Sequence, residues 1–203
     1  MKPEHPAESR PAWGDELDRR PIILAIAGPN GAGKSTFFEA HLQSSRLRFL
    51  NADRLAREFA VEAYEAAQMI AALRAELVAQ RESFIFETVF LDPVGDKLGF
   101  LKQAAQSGYA VVLCFIGLAD AGLSAQRVAM RVSQGGHDVP KEKLSERFPR
   151  TLSNLAAAIR ELPCVWVFDN TDLRPPFRHV AAYQEGRQVW SKPPIPAWLR
   201  SVL

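Results

Sequence analysis

The chain has 203 residues, 47% of them apolar, which is enough for one domain with a substantial core and short for two. Its 25 Lys+Arg against 23 Asp+Glu give a net charge of +2, so there is no reason to expect a nucleic-acid wrapper or a polybasic membrane binder. No apolar stretch approaches the roughly 18–20 residues a bilayer span needs, and the Pro-rich, charged N-terminus lacks the apolar stretch of a secretory signal. Cys114 and Cys164 sit in the apolar runs VVLCFIGL and PCVWVF and read as small buried hydrophobes of a reduced, cytoplasmic protein.

In chain order, residues 1–20 read as a flexible arm, and residues 21–203 as a single domain. Ile22–Ala27 is a continuous apolar run of strand length, the pattern of a strand covered on both faces. It ends in GPNGAGKST, with a helix expected from near Lys34. A second short strand is expected over 47–50. Residues 62–81 carry Met69, Ile70, Leu73 and Leu77 at helical spacing. A third strand covers 83–86 and ends at Glu87-Thr88. A helix near 93–106 stops at Gly108, and the strongest strand signal follows at 109–116.

Another helix is expected at about 120–133, broken by SQGGHDVP, and a further one running to about Glu161 in which Pro149 predicts a kink or break. Cys164–Phe168 is a fifth buried strand, and FRHVAAYQEGRQVW reads as a hairpin turning at Glu185-Gly186. Strands alternating with helices imply an α/β fold around a mostly parallel sheet.

Gly28-Pro29-Asn30-Gly31-Ala32-Gly33-Lys34-Ser35 matches G-x-x-x-x-G-K-[ST] in full, between a buried strand and a helix. The glycines let the backbone curl its N–H groups toward phosphate oxygens, and the following helix adds its positive end. Lys34 is expected to reach the β- and γ-phosphates of ATP or GTP, and Ser35 to hold Mg²⁺. The nucleotide-binding residues are therefore Gly28, Pro29, Asn30, Gly31, Ala32, Gly33, Lys34, Ser35 and Thr36. A Gly-rich turn that binds nothing would waste a lysine at a crowded position.

In open parallel sheets the working residues gather at the carboxyl ends of strands. An acceptor hydroxyl needs an oriented carboxylate. Asp53, in Asn51-Ala52-Asp53, reads either as that base or as the N-cap of a helix over 54–59, and the two readings are compatible. Glu87 suits Mg²⁺ or its water shell, or a hydroxyl of the acceptor. Residues 124–155 hold Arg127, Arg131, Arg147 and Arg150 around glycines and Pro140, the composition of a lid that carries guanidiniums over a transferring phosphate. The lid spans about 127–150. Ordinary solvated helix charge competes with that reading for each arginine singly, and His137 reads as a structural or lid-surface residue.

GPNGAGKST, NAD at 51–53, FET at 86–88, RVAMRVSQGGHDVP and ERFPRTLSNL together resemble the zeta-toxin-like P-loop kinases, in particular a compact bacterial branch often labelled predicted ABC-type ATPases. The resemblance spans roughly residues 22–170. It implies a three-layer, nucleoside-kinase-like fold with strand order 2-3-1-4-5. It also implies transfer of the ATP γ-phosphate to the 3′-hydroxyl of UDP-N-acetylglucosamine, and a small antitoxin protein that blocks the nucleotide site. Carried over by motif, Lys34 and Ser35 bind phosphate and Mg²⁺, and Asp53 is the catalytic base. Glu87 and Thr88 contact the acceptor. Arg131 and Arg147 serve the transferring phosphate, with Arg127 and Arg150 in reserve.

The chain departs from the longer toxins in lacking a glycine between Glu87 and Thr88, in its arginine spacing, and at its short C-terminal end. A kinase of another acceptor (an antibiotic, a nucleoside or a coenzyme) is the alternative. An ABC-like ATPase or nucleotide switch is disfavoured, because SQGGH has the wrong order for an L-S-G-G-Q signature and Glu87 follows no aspartate.

Overall fold

The computed structural model describes residues 14–91, 96–133 and 140–203. A seven-stranded sheet runs through the molecule. Its strands are β1 (Ile22–Ala27), β2 (Arg48–Leu50), β3 (Phe84–Thr88), β4 (Ala110–Gly117), β5 (Cys164–Asp169), β6 (Arg178–Gln184) and β7 (Arg187–Ser191). The order is β2-β3-β1-β4-β5-β6-β7. The first five strands pair in parallel in the expected order 2-3-1-4-5, and the hairpin β6–β7 extends the sheet antiparallel beyond β5.

The apolar run that reads as β1 is buried on both faces for a simple reason. Alternate side chains of a strand point to opposite faces. Ile23, Ala25 and Ala27 accordingly enter one core cluster, with Leu77, Phe84, Phe86 and Leu155. Ile22, Leu24 and Ile26 enter the other, with Phe37, Leu42, Ile116 and Trp166. Each fully buried Ile or Leu contributes about 1.5–3 kcal/mol, so the six buried residues of β1 fix the strand that carries the glycine-rich loop. Cys114 and Cys164 are free and buried as expected, and burial pushes the Cys164 thiol up to about 12.

The helices are α1 (Gly14–Asp18), α2 (Lys34–Phe37), α3 (Ala52–Phe59), α4 (Ala63–Ala79), α5 (Asp96–Gln106), α6 (Ala121–Ser133), α7 (Lys141–Glu161) and α8 (Ala197–Arg200). A π-helical turn over Phe38–Leu42 prolongs α2. No helix among the described residues is long and apolar enough to cross a membrane.

Several expectations are modified. The supposed arm forms helix α1 at 14–18, and Leu17 packs against the core; residues 1–13 lie outside the described residues, as do His137, residues 134–139 and the first residues of the helix expected from 93. Strand β3 extends to Thr88 because Ile26 pairs with Glu87 and Ala27 with Thr88. Pro149 does not break α7, which runs uninterrupted over 141–161. Leu144, Phe148, Thr151 and Leu155 are buried around it, and this packing outweighs the lost backbone hydrogen bond. In α4 the buried stripe is Ala66, Ile70, Arg74 and Leu77, while Met69 and Leu73 are 43% and 37% exposed. An arginine thus occupies the position in the apolar face that the sequence pattern assigned to Leu73.

Candidate active site

The loop between β1 and α2 lies at the carboxyl end of the central strand, between β3 and β4. Its shape depends on glycine. Gly28 has φ 147° and Gly33 φ 87°. A Cβ on Gly28 would stand 2.1 Å from the Ile116 carbonyl oxygen, so a side chain there is excluded by both conformation and space. Ala32 N–H closes a turn on Pro29 O at 3.2 Å, and Phe37 N–H donates to Gly33 O at 2.8 Å as α2 begins.

Lys34 is 6% exposed. Its ammonium donates to Gly28 O and Pro29 O at 3.1 Å each and lies 3.8 Å from Glu87 Oε1. Burial lowers its pKa. Glu87 and Asp53 oppose that shift, and Arg131 adds to it. Lys34, Glu87, Asp53 and Arg131 therefore share one electrostatic neighbourhood, although they come from four elements.

Beside Lys34 the polar groups are linked. Ser35 Oγ donates to Glu87 Oε2 at 2.7 Å, and Asn51 Nδ2 donates to the same oxygen at 2.7 Å. Asn51 Oδ1 accepts from Arg54 N–H at 3.0 Å and caps α3. The cap is thus Asn51 and not Asp53: α3 starts at Ala52, which places Asp53 in the first turn with its carboxylate exposed. Asn is a favoured cap residue, and that signal was present in the sequence. By binding Glu87 with its amide and α3 with its carbonyl oxygen, Asn51 sets Asp53 and Glu87 in register.

Next to this cluster opens a cavity of about 400 Å³, lined among others by Asn51, Asp53, Tyr64, Ala67, Ala71, Arg74, Glu87, Thr88 and Lys97. Asp53, Glu87 and Thr88 thus meet as the strand-end reading expects. Arg74 was not anticipated. It is 7% exposed, and its guanidinium carbon lies 4.8 Å from the ring centres of both Phe86 and Phe100, a cation–π setting that fixes its plane. Its spacing from Ile70 and Leu77 on one helix face is the signal that could have found it.

The four arginines separate. Arg131, half-buried near the end of α6, acts electrostatically on Lys34. Arg127, four residues earlier, turns to the β5 side, where its Nη2 donates to Thr171 O at 2.9 Å. Arg147 is half-buried and Arg150 exposed on α7, and neither lines the cavity. A hollow of about 500 Å³ opens at the opposite end of the sheet, lined by residues such as Glu16, Lys102, Tyr109, Glu161 and Cys164. Its Lys102–Glu161 pair is closed at 2.6 Å, and burial pushes its thiol up to about 12.

Mg²⁺ prefers a few hard oxygen ligands and keeps several from substrate phosphates and water. The residues present fit that pattern. The hydroxyl of Ser35 donates to Glu87 and accepts from Asn51 Nδ2 only at 3.4 Å, which leaves a lone pair for a cation on an oxygen at the mouth of the loop, with the carboxylate directly behind. Among the described residues no cluster of three or more His, Cys, Asp or Glu competes as a metal site.

No curated protein matches the chain. Among solved structures, the AvrRxo1-ORF1:-ORF2 structure with ATP is 16% identical with a TM-score of 0.66, covering 86% of this chain and 62% of that one. The native AvrRxo1-ORF1:-ORF2 complex gives a TM-score of 0.69 at 15% identity, over 93% and 66% of the two chains. The structure from the PezAT chromosomal toxin–antitoxin system of Streptococcus pneumoniae gives 0.57 at 15% identity, over 91% and 77%. The chain thus spans about 62% of the length of the first of these, and at such identities the likeness shows the fold alone. The family model of the Zeta toxin matches residues 12–174, most of the sequence and every element that builds the cradle, and the chain belongs to that family.

Proposed function

We propose that the protein is an ATP-dependent kinase that transfers the γ-phosphate of ATP to a hydroxyl of a UDP-activated sugar, the 3′-hydroxyl of UDP-N-acetylglucosamine, and that it is the toxin of a toxin–antitoxin pair. The observation that carries this reading is the meeting of two compartments: a full phosphate loop, and an adjoining cavity of about 400 Å³ with Asp53, Glu87 and Thr88 in its wall. A pure nucleotide switch has no use for a second, carboxylate-lined cavity of small-molecule size beside the phosphate end.

The chain's own residues divide the work. The backbone N–H groups of residues 28–35 gather the phosphates, and Lys34 moves its ammonium from Gly28 O and Pro29 O onto the β- and γ-phosphate oxygens. Ser35, with Glu87 behind it, would hold Mg²⁺, and that ion would supply positive charge to the phosphates. Asp53 accepts the proton of the acceptor hydroxyl as its oxygen attacks the γ-phosphorus, while the bond from that phosphorus to the β,γ-bridging oxygen breaks and ADP leaves. Thr88 and Glu87 orient the sugar. Arg131 faces the charge developing on the transferring phosphoryl group, and Arg147 joins it from α7, the two belonging to a lid over about 127–150. A small antitoxin protein covering the nucleotide site is the expected partner, and the cytoplasm the expected compartment.

The test is incubation of the protein with ATP, Mg²⁺ and a panel of UDP-sugars, followed by mass spectrometry. A gain of one phosphate on UDP-N-acetylglucosamine is expected. Phosphorylation of other small molecules with every UDP-sugar intact would replace the acceptor and leave the kinase.

A further inference from the structure

The phosphate loop has two flanks, one toward β3 and one toward β4 and β5. Toward β3 lies the cavity assigned to the acceptor. A nucleotide whose phosphates rest on residues 28–35 must therefore carry its nucleoside out over the other edge, toward β4 and β5. There the loop meets Arg127, where a Cβ on Gly31 would come within 3.0 Å of the Arg127 Cβ. It also meets the segment after β5, where Asn170 Nδ2 donates to Ala32 O at 2.9 Å and Phe177 N–H donates to Asn170 Oδ1 at 3.2 Å.

This edge is held from the far end of the chain. Asp169 ends β5 and is 8% exposed. Its Oδ1 accepts from Thr171 Oγ1 at 2.6 Å, from Thr171 N–H at 3.3 Å and from Trp198 Nε1 at 3.0 Å. Its Oδ2 accepts from Arg178 Nη2 at 3.2 Å, and Arg178 Nη1 donates to Pro194 O at 2.8 Å. Thr171, so fixed, presents its carbonyl oxygen to Arg127. Trp198 is seated where only glycine leaves room: a Cβ on Gly117 would lie 2.1 Å from its ring. A buried carboxylate is stable only with donors on its oxygens, and tryptophan alone among large flat side chains adds an N–H donor without an acceptor.

We propose that the C-terminal segment 194–200, through Trp198, Asp169 and Thr171, positions the nucleoside of the bound nucleotide by fixing the Thr171 loop and the Arg127 guanidinium beside it. Trp198 is a positioning residue in this scheme. The segment lies beyond residue 174, where the family match ends. The inference rests on the nucleotide-binding part of the proposed function and is independent of the acceptor.

Calorimetric titration separates the nucleoside from the phosphates. The probes are the β,γ-imido analogue of ATP and inorganic tripolyphosphate, each with Mg²⁺, against the wild-type protein, Trp198→Phe and Thr171→Val. Trp198→Phe keeps a ring against Gly117 and drops the donor, and Thr171→Val keeps the backbone carbonyl and drops the hydroxyl. The ATP analogue should bind about 5- to 10-fold more weakly to each variant, the scale of one ordinary hydrogen bond, while tripolyphosphate binds as before. Equal weakening of both ligands would make the segment a general prop of the fold and overturn the proposal. Unchanged affinity for the ATP analogue in a folded variant would overturn it as well. Should Trp198→Phe fail to fold, Thr171→Val decides alone. Wild-type protein that binds neither probe would sink the nucleotide reading itself, a result seen before any variant is compared.

Discussion

The two edges of the phosphate loop are built from different chemistry. Toward β3 stand carboxylates: Glu87 accepts from Ser35 and Asn51, and Asp53 faces solvent at the mouth of a cavity. Toward β5 the side chains tie backbone to backbone: Ser124 Oγ donates to Asn30 O at 2.7 Å, Asn170 to Ala32 O and Arg127 to Thr171 O, and the carboxylate of that edge, Asp169, is taken up by Thr171, Trp198 and Arg178. The first edge leaves ionisable groups available and the second uses its polar groups to hold a shape. A phosphoryl-transfer site needs both, because little covalent chemistry falls to the protein beyond positioning charge around a fixed phosphate. The division predicts that substitutions at the β3 edge change turnover, and substitutions at the β5 edge change nucleotide affinity.

The sharpest challenge to that division is Asp53→Ala. Loss of a positioned base costs on the order of 10²–10⁴ in rate, so the turnover number should fall by that factor with ATP affinity unchanged. Steady-state kinetics beside calorimetry reads both. A matching loss of ATP binding would make Asp53 a metal or structural residue and erase the distinction between the edges. Lys34→Ala acts on the shared centre of the loop. It should lower kcat/KM by roughly 10²–10³, the scale of one lost charge-stabilising donor, and weaken ATP as well. Growth harm on expression in a bacterium should vanish with it; harm that persists in Lys34→Ala would show that the toxicity does not depend on phosphoryl transfer.

Glu87→Gln is smaller and more selective. The amide can still meet Asn51, but the negative charge behind the Ser35 hydroxyl is gone. Outer-shell changes of this kind cost about 10–100-fold in metal affinity. The Mg²⁺ concentration giving half-maximal transfer should rise by about 10-fold, with the rate at saturating Mg²⁺ much less affected. An unchanged Mg²⁺ requirement with a raised acceptor KM would move Glu87 from the cation to the sugar.

The β1 strand, the loop and the parallel character of the sheet were legible because each rests on local rules: a continuous apolar run, glycines where φ is positive, strands alternating with helices; the order 2-3-1-4-5 came from the family resemblance. Asp53, Glu87 and Thr88 were legible because strand ends share one rim of the sheet. The β5 edge was not, since Asn170 and Thr171 lie more than 130 residues from the loop they serve, and no local pattern marks an asparagine whose partner is Ala32 O. Arg74 was hidden for another reason. It occupies an apolar position of α4, and a pattern read only from apolar residues shifts the stripe to Leu73. Asn51 was quoted with its motif but given no task, because one amide capping α3 and holding Glu87 is visible only when both elements are in place.

The smallest effect concerns the hairpin behind the β5 edge. His179 lies on β6 beside Arg178, its ring stacked on Trp190 at 4.3 Å and 11° and packed against Phe168 at 4.8 Å. Burial pushes its pKa down to about 4, with a backbone hydrogen bond at Ala181 opposing the shift. The folded state thus holds the ring neutral, while the unfolded chain protonates it near the ordinary value of about 6.5. The unfolded state takes up the proton first as pH falls, so this contribution to stability is complete above about 6.5 and is lost between there and about 4. With partial exposure discounted, the loss is of order 1–2 kcal/mol. His179→Phe keeps the stack and removes the titration. Thermal unfolding of both proteins at pH 7.5 and 4.5 should show a smaller drop in Tm for the variant, since carboxylate protonation is common to the two and cancels in the difference. Equal drops would mean that the ring is protonated inside the fold as readily as outside it. Such a ring would cost the fold nothing as the pH falls, and the hairpin behind the β5 edge would owe none of its acid sensitivity to His179.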